Sequence, residues 1–305
     1  MTETAPSTDV GRPLRLFFSA GDVSGDLHAA NVIREIRRLR PDAVLEGLGG
    51  DRMQAAGCTI RHPLTGMNVM WLKNVLRHMG TIFRTQRDTL DHFTRHRPDA
   101  VVLVDFPGYN LRLARRLWKH RIPVIYYISP QIWAWHASRI HRIRRHVTKV
   151  LCILPFEEKI YRDAGVPVEF VGHPLFDHLD EVTLDEGFCR QLRAEAPGRL
   201  IGLLPGSRDQ EIRALLPVMA MAAARVLHAL PDTLFAVSCL DERRETIVRE
   251  VLAKHPRLPV RVFRGRTFEV MKEADFCMVA SGTATLELAH YNTPMTILYR
   301  VNPFA

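Results

Sequence analysis

Short apolar runs alternate with longer segments of helical period along this chain. LRLFFSA, AVLEGLG, AVVLVDF, PVIYYIS and VLCILP, all before residue 156, are rich in Val, Ile, Leu and Phe. A second series follows: RLIGLLP, TLFAVSC, LPVRVFRG, ADFCMVAS and PMTILYR. Runs of this kind fit strands buried on both faces, and the segments between them, such as LHAANVIREIRRLR and QEIRALLPVMAMAAARVLHAL, carry the period of helices. The order predicts βαβ units and parallel sheets, hence an α/β fold of two doubly wound, Rossmann-like domains facing a cleft. Gly172, Pro174 and a cluster of charges interrupt the pattern near VGHPLFDHLDEV, residues 171–182. The expected organisation is a loose tail over 1–13, a first domain over 14–172 and a second over 173–305. The second series stops at VNPFA directly after a predicted strand, so the second domain is expected to be incomplete.

The 305 residues, 47% of them hydrophobic, are enough to bury a sizeable core. The formal net charge of +9 favours an anionic partner, whether nucleic acid, phosphorylated metabolite or acidic membrane, without choosing among them. Five cysteines (Cys58, Cys152, Cys189, Cys239, Cys277) form no CxxC pair and mostly sit in apolar runs, which fits a reducing cytoplasm and no zinc site. The opening MTETAPSTDVGRP lacks the apolar core of a signal peptide, and no segment is expected to be apolar over the roughly 20 residues that a membrane-spanning helix needs.

In doubly wound sheets ligands bind beyond the carboxyl ends of the strands, so the loops there carry the chemistry. In SAGDVSGD, Gly21 and Gly25 turn the chain off the first strand, and Ser24 or Asp26 is expected to cap the next helix. The same glycines could cradle an anion, although the spacing is neither GxGxxG nor GxxxxGK[ST]. Asp26 and His28 point about 200° apart on a helix, which argues against a metal pair. Asp105 ends the buried run of VVLVDFPGYN, where lowered dielectric can make a carboxylate a useful base; the alternative is a helix start by Asp105 or Asn110. In LLPGSRDQE the amides of Gly206 and Ser207 can face a phosphate and Arg208 can fork onto it, against a simple cap. VASGTATLELA repeats the design with Ser281, Gly282 and Thr283, and places Glu287 where a carboxylate can accept from two ribose hydroxyls.

Two stretches speak to partners. GMNVMWLKNVLRHMG carries Met67, Val69, Met70, Trp71, Leu72, Val75, Leu76 and Met79 among basic residues, which suits either an interfacial membrane helix or a core helix. SRIHRIRRHVTK sets an apolar stripe against five cations, a solvated face or a surface for anionic headgroups or nucleic acid.

With SAGDVSGDLHAA, GLGGDRMQAAG, VDFPGYN, YYISPQIWAW, LPFEEKIY, VGHPL, LLPGSR and ASGTATLE in that order, the chain resembles the lipid A disaccharide synthases, inverting GT-B enzymes of glycosyltransferase family 19. The resemblance covers essentially everything after the tail. It implies transfer of 2,3-diacylglucosamine from UDP-2,3-diacylglucosamine to the 6-hydroxyl of 2,3-diacylglucosamine 1-phosphate (lipid X), giving a β-1,6 disaccharide phosphate and UDP. It also implies work at the cytoplasmic face of the inner membrane, with no cofactor, no required metal and no nucleic acid; a homodimer stays open. On this resemblance Asp105 would be the base of a DxPxxN stretch, Arg208 and the Ser207 and Ser281–Thr283 loops would hold the diphosphate, and Glu287 the ribose. Asp22, the second candidate catalytic carboxylate, stands where the family usually has glutamate, one methylene longer. The family's further C-terminal segment, which supplies donor-site residues, is expected to lie beyond residue 305. The rival readings are another GT-B enzyme on UDP-N-acetylglucosamine, a peptidoglycan glycosyltransferase or a 2-epimerase, and a basic nucleic-acid-binding protein.

Overall fold

The computed structural model describes residues 12–64, 72–134 and 136–300, without the side chains of 72–79, 81 and 82. The chain divides into two compact units, Met1–Pro174 and Leu175–Ala305.

The first unit runs β1 (Arg15–Ala20), α1 (Val23–Leu39), β2 (Val44–Gly49), α2 (Asp51–Ala55), β3 (Thr59–Pro63), α3 (Leu72–Arg95), β4 (Ala100–Val104), α4 (Pro107–Lys119), β5 (Val124–Tyr127), α5 (Arg139–His146), β6 (Lys149–Cys152), α6 (Pro155–Asp163) and β7 (Val168–Phe170). Among the described residues its strands are parallel in the order β3-β2-β1-β4-β5-β6-β7. Strand residues alternate between faces, and both faces are covered. Phe17 and Leu103 point into the core under α3 to α6, where Phe17 meets Phe93 edge-on at 4.8 Å. Phe18, Val102 and Val104 point the other way, onto Ala29, Ala30 and Ile33 of α1 and Met53 of α2.

Helix α7 (Pro174–Glu181) begins at the division and packs with the second unit, Phe176 stacking on His290 at 6.1 Å. There follow α8 (Glu186–Glu195), β8 (Arg199–Leu204), α9 (Asp209–Ala229), β9 (Thr233–Cys239), α10 (Glu242–Leu252), β10 (Val260–Arg264), α11 (Thr267–Glu273), β11 (Phe276–Ala280), α12 (Ala284–His290) and β12 (Met295–Leu298). This sheet is also parallel, in the order β10-β9-β8-β11-β12. Ile201 and Leu203 of β8 face α9 and α10, whereas Leu200 and Leu204 face α8, α11 and α12. Contrary to the sequence reading, α9 is long and apolar enough to cross a membrane by length and composition. Its stripe of Ile212, Leu215, Leu216, Met219, Ala220 and Ala223 is buried in the core of its unit.

Both sheets reverse their strand order beside the first strand, between β1 and β4 and between β8 and β11. The two strands at each reversal pair directly, Ala20 with Val104 and Leu204 with Val279. Such a switch point opens a crevice at the carboxyl ends, because the following helices leave toward opposite faces. The four loops singled out in the sequence are the four that leave these strands.

Of the expected apolar patch, Met67, Val69, Met70 and Trp71 lie outside the described residues; Leu72, Val75, Leu76 and Met79 lie on α3, their side chains outside the description.

Candidate active site

The loop after β1 is organised by Asp22. Its carboxylate accepts from the Gly25 amide at 2.6 Å and the Ser24 hydroxyl at 3.1 Å, so Asp22 is the N-cap of α1. This corrects the expectation of a Ser24 or Asp26 cap. Asp26 is buried inside α1, and its oxygens accept from the amides of Gly50 at 2.7 Å, Arg52 at 3.1 Å and Met53 at 3.3 Å. It therefore caps α2 from a distance and ties α1 to the β2–α2 turn. Gly21 is required for a different reason than a turn: a Cβ there would sit 2.0 Å from the Phe106 ring.

Across the seam, Asp105 and Phe106 both hold left-handed backbone, at φ 44° and 48°, and nearby Ile128 does so at 53°. Non-glycine residues rarely adopt this region, a β-branched one least of all, and each costs of the order of 1–3 kcal/mol. The strain is held by a buried clamp. Asn110 Nδ2 donates to the carbonyls of Asp105 at 2.8 Å, Ser19 at 3.2 Å and Val104 at 3.2 Å, and its Oδ1 accepts from the Ser19 hydroxyl at 2.7 Å. The Tyr126 hydroxyl donates to the same Asp105 carbonyl at 2.8 Å. Neither Asp105 nor Asn110 starts α4 by capping; Phe106 stands at that position without a side-chain bond and Pro107 follows.

So held, Asp105 lines a pocket of about 290 Å³ together with Ile128, Ser129, Gln131, Arg139 and Glu157. Burial first, and then the charge of Asp22, push its pKa up to about 6, against a lowering by the Phe106 amide. Glu157 is buried too and its pKa is raised by burial, while it accepts from Trp133 Nε1 at 3.1 Å. His28 is a further neighbour of Asp22; burial and then His173 lower its pKa while Asp22 raises it. Glu157 carried no distinguishing signal in the sequence; His28 was weighed there only as a metal partner of Asp26, and Arg139 only as one of the cations of SRIHRIRRHVTK.

In the second unit, Gly206, Ser207, Arg208, Ser281, Gly282, Thr283 and Glu287 all line one pocket of about 450 Å³. Two details differ from the sequence reading. The Ser207 and Arg208 amides each donate to Glu211 Oε2 at 3.2 Å, and the Arg208 guanidinium meets Glu211 Oε1 at 2.7 Å. Glu211 wins locally because it sits at the third helical position, where a carboxylate completes a capping box. The Ser281 amide is likewise committed, to the Leu298 carbonyl at 2.8 Å, because it extends the β11–β12 ladder. Gly206 holds φ 106°, and a Cβ there would strike Glu211. Glu287 has a pKa raised by burial and lowered by His178. Arg244, which sequence reasoning did not single out, also lines the pocket and donates to the Ser207 carbonyl at 2.5 Å.

The Lipid-A-disaccharide synthetase family model matches residues 16–305. The chain belongs to this family. Lipid-A-disaccharide synthase of Psychromonas ingrahamii is 36% identical over 294 residues, covering 96% of this chain and 77% of that protein. The enzyme of Anaeromyxobacter dehalogenans strain 2CP-C is 41% identical over 288 residues, covering 94% and 75%. Among solved structures, UDP-GlcNAc 2-epimerase from Neisseria meningitidis bound to UDP-GlcNAc superposes with TM-score 0.60 at 12% identity, covering 94% of this chain and 83% of that one. A further UDP-N-acetylglucosamine 2-epimerase gives 0.62 at 15% identity, covering 96% and 80%. These likenesses show the GT-B architecture of paired Rossmann-like units. Family membership in turn decides against the epimerase and nucleic-acid readings.

Proposed function

We propose that this glycosyltransferase of the lipid-A-disaccharide synthase family works through Asp105 in its first unit and the Ser207–Glu287 pocket in its second. The reaction is the family's: 2,3-diacylglucosamine passes from UDP-2,3-diacylglucosamine to the 6-hydroxyl of 2,3-diacylglucosamine 1-phosphate, with inversion. The observation that carries the assignment of the base is a strained, buried carboxylate at a switch point with its pKa near 6.

In this reading Asp105 takes the proton of the acceptor hydroxyl as that oxygen attacks C1 of the donor sugar. The bond from C1 to the diphosphate oxygen breaks, and its electron pair leaves with UDP. A pKa of about 6 keeps Asp105 ionised at pH 7 while making it a stronger base than an ordinary carboxylate. Arg208 and Arg244 stabilise the charge growing on the diphosphate, and Glu287 accepts from the ribose hydroxyls. The Arg208–Glu211 pair is no obstacle: it is exposed, such pairs contribute about 0–1 kcal/mol, and a diphosphate offers more charge to the same guanidinium. Ser24, Gly25, Asp26 and Asn110 are structural in this scheme: they shape the loops and hold the backbone of Asp105. Work at the cytoplasmic face of the inner membrane is part of this proposal; acylated substrates support a membrane surface as the site of reaction.

The test is a thin-layer assay with both acylated substrates, and with plain UDP-N-acetylglucosamine as alternative donor. Formation of the acylated disaccharide with the first donor and none with the second supports the reading. Turnover of plain UDP-N-acetylglucosamine alone contradicts it.

A further inference from the structure

Helices α4 and α5 lie side by side on the first unit. Arg112, Arg115 and Lys119 follow the i, i+3, i+7 spacing that puts side chains on one helix face, and Arg142 and Arg145 do the same on α5. All five are exposed and line one groove of about 590 Å³. No carboxylate lines it, and among the described residues none of the five makes an ion pair. Overall basicity does not account for this. On the second unit Arg243, Arg249 and Arg264 are each matched to an acidic partner. Like charges gathered without counter-charge repel one another, so the arrangement calls for an anion from outside. The field is felt within the groove: burial, then the charges of Arg145 and Arg115, lower the His146 pKa, against a hydrogen bond with the Arg142 backbone that raises it.

The groove also holds an aromatic. Trp118 is 47% exposed and carries the Arg145 guanidinium 5.4 Å above its ring. The design repeats on the same helical layer, where Phe83 lies under Arg116 at 5.8 Å in a second pocket that Arg84 and Arg87 also line. An aromatic with an apolar body beside a cation suits the boundary where lipid headgroups meet acyl chains.

We propose that the α4–α5 groove binds the phosphate headgroups of anionic lipids and seats the first unit on a bilayer. The proposal rests on the reading of this chain as an enzyme of lipid substrates, but its test does not depend on turnover. The α5 row begins at Arg139, which lines the Asp105 pocket, about 9 Å along the helix from Arg145. The groove itself lies outside that pocket, since Arg142 and Arg145 do not line it.

The experiment compares the wild type with an R115Q/R142Q/R145Q variant in cosedimentation with phosphatidylcholine vesicles containing or lacking phosphatidylglycerol. The wild type is expected to bind only the anionic vesicles, and less so as salt is raised. The variant should lose about a hundredfold in affinity, while its circular dichroism melt, its UDP binding and its turnover of detergent-dispersed substrates stay unchanged. Equal vesicle binding by variant and wild type would overturn the proposal. So would binding of inorganic phosphate that the variant loses without any vesicle binding, which would assign the groove to a soluble phosphate, or capture of an RNA oligonucleotide in preference to the vesicles.

Discussion

Asp22 at the head of α1 acts on Asp105 at the end of β4: its charge adds to burial in raising the Asp105 pKa to about 6. With Asp105 as the base, the active form is deprotonated, so kcat/KM falls as pH drops through about 6. Asp22→Asn removes the repulsion but still caps α1, since asparagine is as good an N-cap. The acid limb of the pH profile is therefore expected to move to lower pH, with little change in melting temperature. A limb that stays in place would detach Asp22 from Asp105.

Asn110 spans the seam between β1 and β4, and its amide holds the Asp105 carbonyl at 2.8 Å. Asn110→Ala leaves the Ser19, Val104 and Asp105 carbonyls short of a donor in a buried site, a loss of about 2–3 kcal/mol measurable by urea unfolding. Turnover is expected to fall further than stability explains, with the KM for the donor nearly unchanged, because the clamp positions the base and not the nucleotide.

Gly21→Ala places a methyl inside the Phe106 ring, and Phe106 directly follows the base. Overpacking of this kind costs about 1–3 kcal/mol. The expected outcome is lower stability together with lower kcat. A variant that melts lower yet turns over normally would show that the ring can move without carrying Asp105 with it.

Arg208→Gln and Glu287→Gln are expected each to weaken UDP binding about tenfold or more by calorimetry, as charge-assisted bonds are lost. Asp105→Asn should leave the UDP affinity where it was. Weakened UDP binding in Asp105→Asn instead would contradict the division of labour between the units.

Ten of the twelve strands among the described residues stand where apolar runs were read in the sequence, because the inner strands of both sheets are buried on both faces and read as apolar runs. The two missed strands, β3 and β7, are the edges of the first sheet, short and largely exposed, so Arg61, His62 and Glu169 dilute their apolar signal. Asp105 drew notice in the sequence because it is a charge that ends a fully apolar run. The cap was not legible: Asp22, Ser24 and Asp26 are all cap-competent within five positions, and the choice depends on Asp26 being claimed by amides 24 to 27 residues away. The commitment of the Ser207 amide to Glu211 was masked in the same way, by a helical neighbour that the loop motif alone does not reveal.

The most direct measurement is the turnover and stability of Asp105→Asn with UDP-2,3-diacylglucosamine and the acylated 1-phosphate acceptor. Burial penalises the Asp105 charge, so the folded pKa lies above the unfolded one and the ionised group lowers stability as pH rises through about 6. The amide variant is therefore expected to melt no lower at pH 7 than the wild type, and by up to ~3 kcal/mol more stably. Its kcat should drop by about 10²- to 10⁴-fold, with the acid limb near pH 6 gone. A well-folded Asp105→Asn enzyme that retains near-normal kcat and the same acid limb would contradict the assignment of Asp105 as the base.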